Sequence, residues 1–434
     1  MRRRVTVVLT AVLLTSAVAP AEASPADLAA SVDPLIGSAG DGNTYPGATA
    51  PFGMLAWSPT STRGDQTSTG AANGYQYDTT RLRGFSLTHV NGAGCNPGAA
   101  GDVPILPFTG DVTSSPSADT TDAVYASDFA HADESATPGR YRLGLANGVT
   151  TDFAATDRTT AGTLSFPAGK PANLLFRTSN SLNGSEDAET RLDPAHRQVT
   201  GSVLTGAFCG RRANGGVNNR KSYYRLYFTA QFDRPFTGTG TWKDATLQPG
   251  GLAQTGGEGY ATDKDRAGRG SGGYVGFAPG SHVTMRLAIS YVSLEGAERN
   301  LRAEQSPTST VDSVAAATRR SWNDELGRVS IGGGTPDQRK VFYTALYHGL
   351  QQPNLVNDVD GQYLGMDQVP HRLAPGQRAQ YGNFSAGTST ARRSSCSRCW
   401  SRASPGTSRS RCSTTPSRTT ASGTAGCTST APRT

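Results

Sequence analysis

Cysteine is scarce in this 434-residue chain, and long apolar runs are confined to its first two dozen residues. The last 49 residues lack Asp, Glu and Lys, and also Leu, Ile, Val, Phe, Met and Tyr. Six cysteines exclude a disulfide-dense scaffold. The only Cys-x-x-Cys, Cys396–Cys399, has no second pair and no histidine pair to complete a zinc site. Charged residues at 17% and apolar residues at 35% exclude a coiled coil or a polytopic membrane protein. The carboxylate-free stretch Ala386–Thr434 holds 8 Arg, so the preceding residues, with 33 basic and 34 acidic side chains, are close to neutral. A basic balance drawn from one segment is a poor footprint for nucleic acid, and no such partner is expected.

The N-terminus reads as an export signal over residues 1–23. Arg2, Arg3 and Arg4 precede the apolar run Val5–Val18, and Ala21-Glu22-Ala23 fits the small-x-small cleavage rule. The run is shorter than the ~20 residues a membrane span needs, so a secreted, extracellular protein with no membrane partner is expected. Cys95 and Cys209 would then meet an oxidising compartment, although the sequence does not show that they pair.

Glycine is abundant, with 52 residues, and the pattern over residues 30–292 is that of strands. Tyr224, Leu226, Phe228, Ala230 and Phe232 alternate with Arg225, Tyr227, Thr229 and Gln231. Val283, Met285, Leu287, Ile289 and Tyr291 alternate with Thr284, Arg286, Ala288 and Ser290; Tyr141, Leu143 and Leu145 repeat the theme. Period two with one apolar face predicts half-buried antiparallel strands. Turn pairs such as Asn73-Gly74, Asn91-Gly92 and Asn147-Gly148 punctuate them. No strand alternates regularly with a helix, so the expected fold is a mainly β N-terminal sandwich.

Near residue 294 the period changes. Leu294, Ala297 and Leu301 have helical spacing, and Val311, Val314, Ala315, Thr318, Trp322 and Leu326 form one face of a second helix. These make a helical linker over 293–334. A third helix opens at Thr335-Pro336-Asp337-Gln338, a cap residue, a first-turn proline and a capping-box partner. Its apolar face reads Phe342, Ala345, Leu346, Gly349 and Leu350, and Pro353 stops it.

The densest chemistry lies between Val32 and Pro107. Val32-Asp33-Pro34-Leu35-Ile36-Gly37 is followed by Gly42-Asn43-Thr44-Tyr45-Pro46-Gly47 and Ala50-Pro51-Phe52-Gly53-Met54. Then come Gly84-Phe85-Ser86-Leu87-Thr88-His89-Val90-Asn91-Gly92-Ala93-Gly94-Cys95 and Gly101-Asp102-Val103-Pro104. Glycines around polar residues indicate either tight turns or loops whose backbone approaches a ligand.

In order and wording these segments resemble the N-terminal domain of glycoside hydrolase family 92, the calcium-dependent exo-α-mannosidases. The likeness continues through Ile289-Ser290-Tyr291-Val292-Ser293-Leu294-Glu295-Gly296-Ala297, Phe342-Tyr343-Thr344-Ala345-Leu346-Tyr347-His348, Asp358-Val359-Asp360-Gly361 and Asn383-Phe384-Ser385. The resemblance implies a β-sandwich at 30–292, linker helices, and the start of an (α/α)6 catalytic barrel at 335–385. It also implies inverting hydrolysis of α-mannoside glycans or mannosyl-phosphate groups, with Ca²⁺ against the sugar hydroxyls. In the family the acid, the base and most metal contacts follow the Asn-Phe-Ser motif. This chain has no acidic residue after Asp367. No position is therefore assigned as catalytic or metal-ligating, and the chain as it stands is expected to be inactive. The alternative is a non-catalytic carbohydrate-binding or structural module.

Where the family continues Gly-Trp-Asp-x-Tyr-Arg, this chain reads Ala386-Gly387-Thr388-Ser389-Thr390-Ala391. A one-nucleotide shift of GC-rich codons converts the first string into the second. Segment 386–434 is accordingly expected to be a frameshifted, disordered tail that truncates the barrel; the rival readings are a Ser/Thr linker and a basic arm.

Candidate substrate-binding residues are His89, Asn91, Asp41 and Asn43, each with a plain structural alternative: a loop hydrogen bond for His89, an Asx turn for Asn91, a shaped turn for the other two. Asp358, Asp360 and Asp367 suggest calcium but lack an EF-hand frame, so a solvated loop is expected. Trp57 and Trp242 are assigned to core packing, His348 to packing or hydrogen bonding, and the loop from Gly210-Arg211-Arg212 to the surface.

Overall fold

The computed structural model describes residues 27–64, 71–92, 100–182, 184–206, 223–259 and 267–383. The export signal, Cys95, Cys209, the loop beginning at Gly210 and the segment 386–434 lie outside these residues.

Two antiparallel sheets face each other. One runs, in spatial order, Ser127–Thr137, Arg140–Leu145, Thr150–Ala155, Thr159–Ser165, His282–Ser290, Tyr224–Phe232, Gln198–Thr205, Ser185–Asp193, Ala253–Thr255. The other runs Ala56–Ser61, Arg81–Ser86, Ile105–Phe108, Ala172–Phe176, Ser271–Phe277, Gly238–Lys243, Thr246–Pro249. The alternating strands supply the inner faces: Leu226, Phe228, Ala230, Val283, Met285, Leu287 and Ile289 are all buried. Phe228 of the first sheet stacks on Phe176 of the second with centroids 6.0 Å apart. Trp57 stacks on Phe153 at 3.8 Å and donates Nε1–H to the Phe85 carbonyl, while Trp242 donates to Ser117 Oγ. Both tryptophans are core residues, and each polar ring atom is paired, as burial requires.

The outer face of the first sheet is less solvated than simple alternation implies. Thr229, Ala288 and Ser290, at outward positions, are buried because helix α1 (Leu294–Glu304) lies across them. Helix α2 (Val311–Leu326) lays Val311, Val314 and Ala315 on Ala154 and Ala161. Its Trp322 Nε1–H donates to the Thr49 carbonyl at 2.8 Å. The linker helices thus wall the sandwich.

Helix α3 (Pro336–Leu350) has the expected Thr335–Gln338 capping box, and the face it turns inward is not its aliphatic stripe. Its buried residues are Tyr343, Thr344, Tyr347, His348 and Leu350. Of the apolar stripe only Leu350 is buried; Ala345 is exposed, Phe342, Leu346 and Gly349 are half-buried, and Val341 beside them is exposed, as expected of a stripe without partners in this chain. The reason is polar. Thr344 Oγ1 accepts from Asp33 N–H at 3.0 Å, His348 Nε2 meets the Ile36 carbonyl at 3.0 Å, and the Tyr347 ring packs on Trp322 at 4.4 Å. Pairing these groups fixes the roll of α3 and leaves its aliphatic stripe outward.

Candidate functional site

The glycine-rich motifs converge beside the C-terminal end of α3. Residues 87–89 and 100–102 run antiparallel: Leu87 N–H donates to the Asp102 carbonyl, Gly101 N–H to the Thr88 carbonyl, and His89 bridges Ala100. They form the base of a loop whose tip lies outside the described residues. Gly101 is required here, with φ +70° and space for a Cβ only 2.5 Å from Leu182 Cγ.

A second loop, 37–44, stands next to it. Thr44 N–H donates to the Gly37 carbonyl, and a Cβ on Gly42 would sit 2.0 Å from that same oxygen. Asn43 is left-handed at φ +51° and donates Nδ2–H to the Asp41 carbonyl at 3.2 Å. Its own carbonyl accepts Gly92 N–H at 2.8 Å. Asp41 is exposed and Asn43 half-buried. These two side chains form the polar rim.

His89 and Asn91 lie deeper. His89 is 3% exposed, against the Tyr45 ring at 5.1 Å. Its Nδ1 is 3.0 Å from the Ala56 carbonyl, so that nitrogen carries the proton, and the Pro59 backbone is the other hydrogen-bonding group beside the ring. Burial pulls the imidazolium pKa down to about 4, which hydrogen bonding to the Ala56 and Pro59 backbone only partly offsets. Asn91, 4% exposed, donates Nδ2–H to the His348 carbonyl of α3 at 3.0 Å. Asp41, Asn43 and Asn91 are thus brought together at the junction with α3, while His89 sits under the loop base.

Two carboxylates at this junction had no role assigned from sequence, or a different one. Asp102 is fully buried and accepts from Thr88 Oγ1 at 2.6 Å, Ser181 Oγ at 2.6 Å and Tyr224 Oη at 2.8 Å. Burial raises its pKa, and the three hydroxyls work against that rise. Its place inside a Gly-Asp-Val-Pro motif was the available signal. Asp358 is not in a solvated loop but fully buried. It accepts from Ser290 Oγ at 2.7 Å and Asn300 Nδ2 at 2.8 Å, tying the segment after α3 to the sheet and to α1. Asp360 instead pairs with Arg299 and Gln362, and Asp367 with His371. Among the described residues no three His, Cys, Asp or Glu side chains gather as a metal would require.

Residues 31–290 match the N-terminal domain of glycosyl hydrolase family 92, and residues 296–387 match that family's catalytic domain. The chain belongs to glycosyl hydrolase family 92. A family 92 α-mannosidase from Bacteroides thetaiotaomicron has the same fold, with a TM-score of 0.69 and 27% identity, covering 82% of this chain and 45% of its own. That enzyme is also known in complex with mannoimidazole. A family 92 inverting mannosidase from the same organism gives 0.62 at 26% identity, over 82% of this chain and 44% of its own. A secreted glycosidase of Arthroderma benhamiae, itself uncharacterised, is 25% identical over 345 residues, 74% of this chain and 41% of its own length. The chain thus spans less than half the length of these relatives and only part of the catalytic domain. Family 92 mannosidases use calcium, but the donor set described here does not fit a calcium ion. No described helix is long and apolar enough to cross a membrane.

Proposed function

We propose that this family 92 chain is the N-terminal portion of a secreted, calcium-dependent exo-α-mannosidase acting on α-mannoside glycans or mannosyl-phosphate groups, and that it supplies the rim on which the terminal sugar rests. The observation that carries this reading is the convergence of loop 37–44, the 89–100 loop base and the end of α3, where the two family segments meet. The mannoimidazole complex of the Bacteroides relative supports a mannoside ligand. Asp41 is exposed and Asn43 half-buried, which supports them as direct partners of sugar hydroxyls. His89 and Asn91, buried here, act on the sugar through the loop they hold.

Inverting hydrolysis needs a general acid and a general base ~6.5–9.5 Å apart. By the family resemblance both follow the Asn-Phe-Ser motif, and no Asp or Glu follows Asp367 here. The 434-residue chain on its own is therefore read as inactive, and segment 386–434 as the product of a shifted frame.

The purified chain, free of host mannosidase, should give no turnover of an aryl α-mannoside or α-mannobiose with calcium added. Turnover that a chelator abolishes would overturn the inactive reading. Resequencing across the Phe384 codon tests the rest: a repaired frame should encode a longer, calcium-dependent α-mannosidase. In that protein Asp41→Ala should raise KM about tenfold, the loss of one charge-assisted hydrogen bond. An unchanged KM would remove Asp41 from the rim. A repaired frame that meets stop codons at once would return the chain to a non-catalytic module.

A further inference from the structure

Gln352 follows α3 and faces the loop base. With its amide oriented so that both atoms find complementary partners, Nε2–H donates to the Asn91 carbonyl and Oε1 accepts from Asn91 N–H, each at 3.1 Å. The Gln352 amide thereby satisfies both main-chain groups of Asn91, as a neighbouring strand would. The Asn91 side chain completes the contact by donating to the His348 carbonyl, one turn earlier in the same segment. The next residue, Gly92, is held from the other side by the Asn43 carbonyl. Asn91 and Gly92 are therefore gripped between α3 and loop 37–44, immediately before the glycine-rich tip.

We propose that Gln352 is a positioning residue: its side-chain amide clamps the Asn91 backbone, so that helix α3, within the segment matched to the catalytic domain, fixes the base of the glycine-rich loop at Asn91. The segment that bears Gln352 is itself anchored. Phe52 N–H donates to the Leu350 carbonyl at 2.8 Å, Leu355 N–H to the Phe52 carbonyl at 2.8 Å, and Asn354 Nδ2–H to the Gly53 carbonyl at 2.8 Å. A half-buried side chain on a fixed backbone can transmit the placement of α3; a free one could not. The clamp stands on geometry alone, while its bearing on sugar rests on the mannoside reading above.

Residue-resolved hydrogen exchange on the full 434-residue chain decides between a clamp and a passive contact. In Gln352→Met, which keeps size but no hydrogen-bonding group, the Asn91 amide should exchange about tenfold faster, the equivalent of one lost hydrogen bond. Gln352→Glu retains an acceptor for that N–H and should keep most of the protection. The Leu87 amide, bonded to Asp102 at the far side of the loop base, should not change in either variant. Unchanged exchange at Asn91 in Gln352→Met overturns the proposal. So does equal acceleration in both variants, and so does acceleration that extends to Leu87, which would make Gln352 a general stability residue. Titration of each variant with methyl α-mannoside separates the two readings: absence of saturable binding in all of them counts against the mannoside role, and exchange still decides the clamp.

Discussion

Protonating His89 should open the loop base. The ring is buried against Tyr45 and Gly74, with Nδ1 bonded to the Ala56 carbonyl. Its folded-state pKa is about 4 against an ordinary 6.5. The unfolded chain therefore binds a proton at His89 through the window from pH 6.5 to 4 in which the folded chain does not. Stability from this group is present in full above pH 6.5, declines as pH falls, and has gone below pH 4. At 1.36 kcal/mol for each tenfold difference in proton affinity, the loss is about 3 kcal/mol. Buried Asp102 acts with the opposite sign: its pKa is raised, so its contribution improves as pH falls. A wild-type curve alone mixes the two. The informative quantity is the difference between wild type and His89→Asn, whose amide N–H can still donate to the Ala56 carbonyl but does not titrate. Urea unfolding at intervals between pH 7 and pH 4 should show wild type losing about 3 kcal/mol more than the variant. Parallel curves would refute the buried-neutral assignment of His89.

Asp358→Ala leaves the Ser290 hydroxyl hydrogen and one Asn300 amide hydrogen buried without an acceptor, and should cost about 3 kcal/mol in urea unfolding. Asp358→Asn, which keeps one acceptor, should cost clearly less; equal losses would show that the bonds are not the source. Gly101→Ala forces a Cβ into a left-handed backbone and against Leu182, for about 3 kcal/mol, and a variant as stable as wild type would mean that the loop base relaxes freely. Trp322→Ala removes the side chain that joins α2 to Thr49 and Tyr347, and should cost about 4 kcal/mol by denaturant midpoint; a loss under about 1 kcal/mol would mean that α2 is not a wall of the core.

The strands around Tyr224–Phe232 and His282–Ser290 were legible because one face of each meets the opposite sheet along its whole length, which imposes period two. The caps of α3 were legible because capping is local chemistry. That the aliphatic stripe of α3 lacks partners here was legible too, but the contacts that hold its other face inward were not. Its buried face is chosen by hydrogen bonds to Asp33 and Ile36, some three hundred residues away in sequence, and no hydrophobic pattern encodes such partners. The site divides in the same way. Asp41, Asn43 and Asn91 stood out because they lie in glycine-rich turns, which are local. Gln352 did not, since an amide that pairs with a distant backbone leaves no mark on its neighbours in sequence. Asp358 misled because Asp358-Val359-Asp360-Gly361 has the composition of a surface turn, and only the placement of Ser290 and Asn300 shows that it is enclosed.

The border between the two family segments falls between residues 290 and 296, yet the folded chain has no natural cut there. Past that border come the helix that covers Thr229, Ala288 and Ser290, the one that covers Ala154 and Ala161, and the carboxylate that receives the Ser290 hydroxyl. A gene rearrangement that joined the first segment to a foreign partner at residue 292 would produce a sheet with apolar and hydrogen-bonding surface stripped bare, prone to stick to other chains. The two segments therefore stand or fall together as one folded body, the first depending on the opening stretch of the second for its cover.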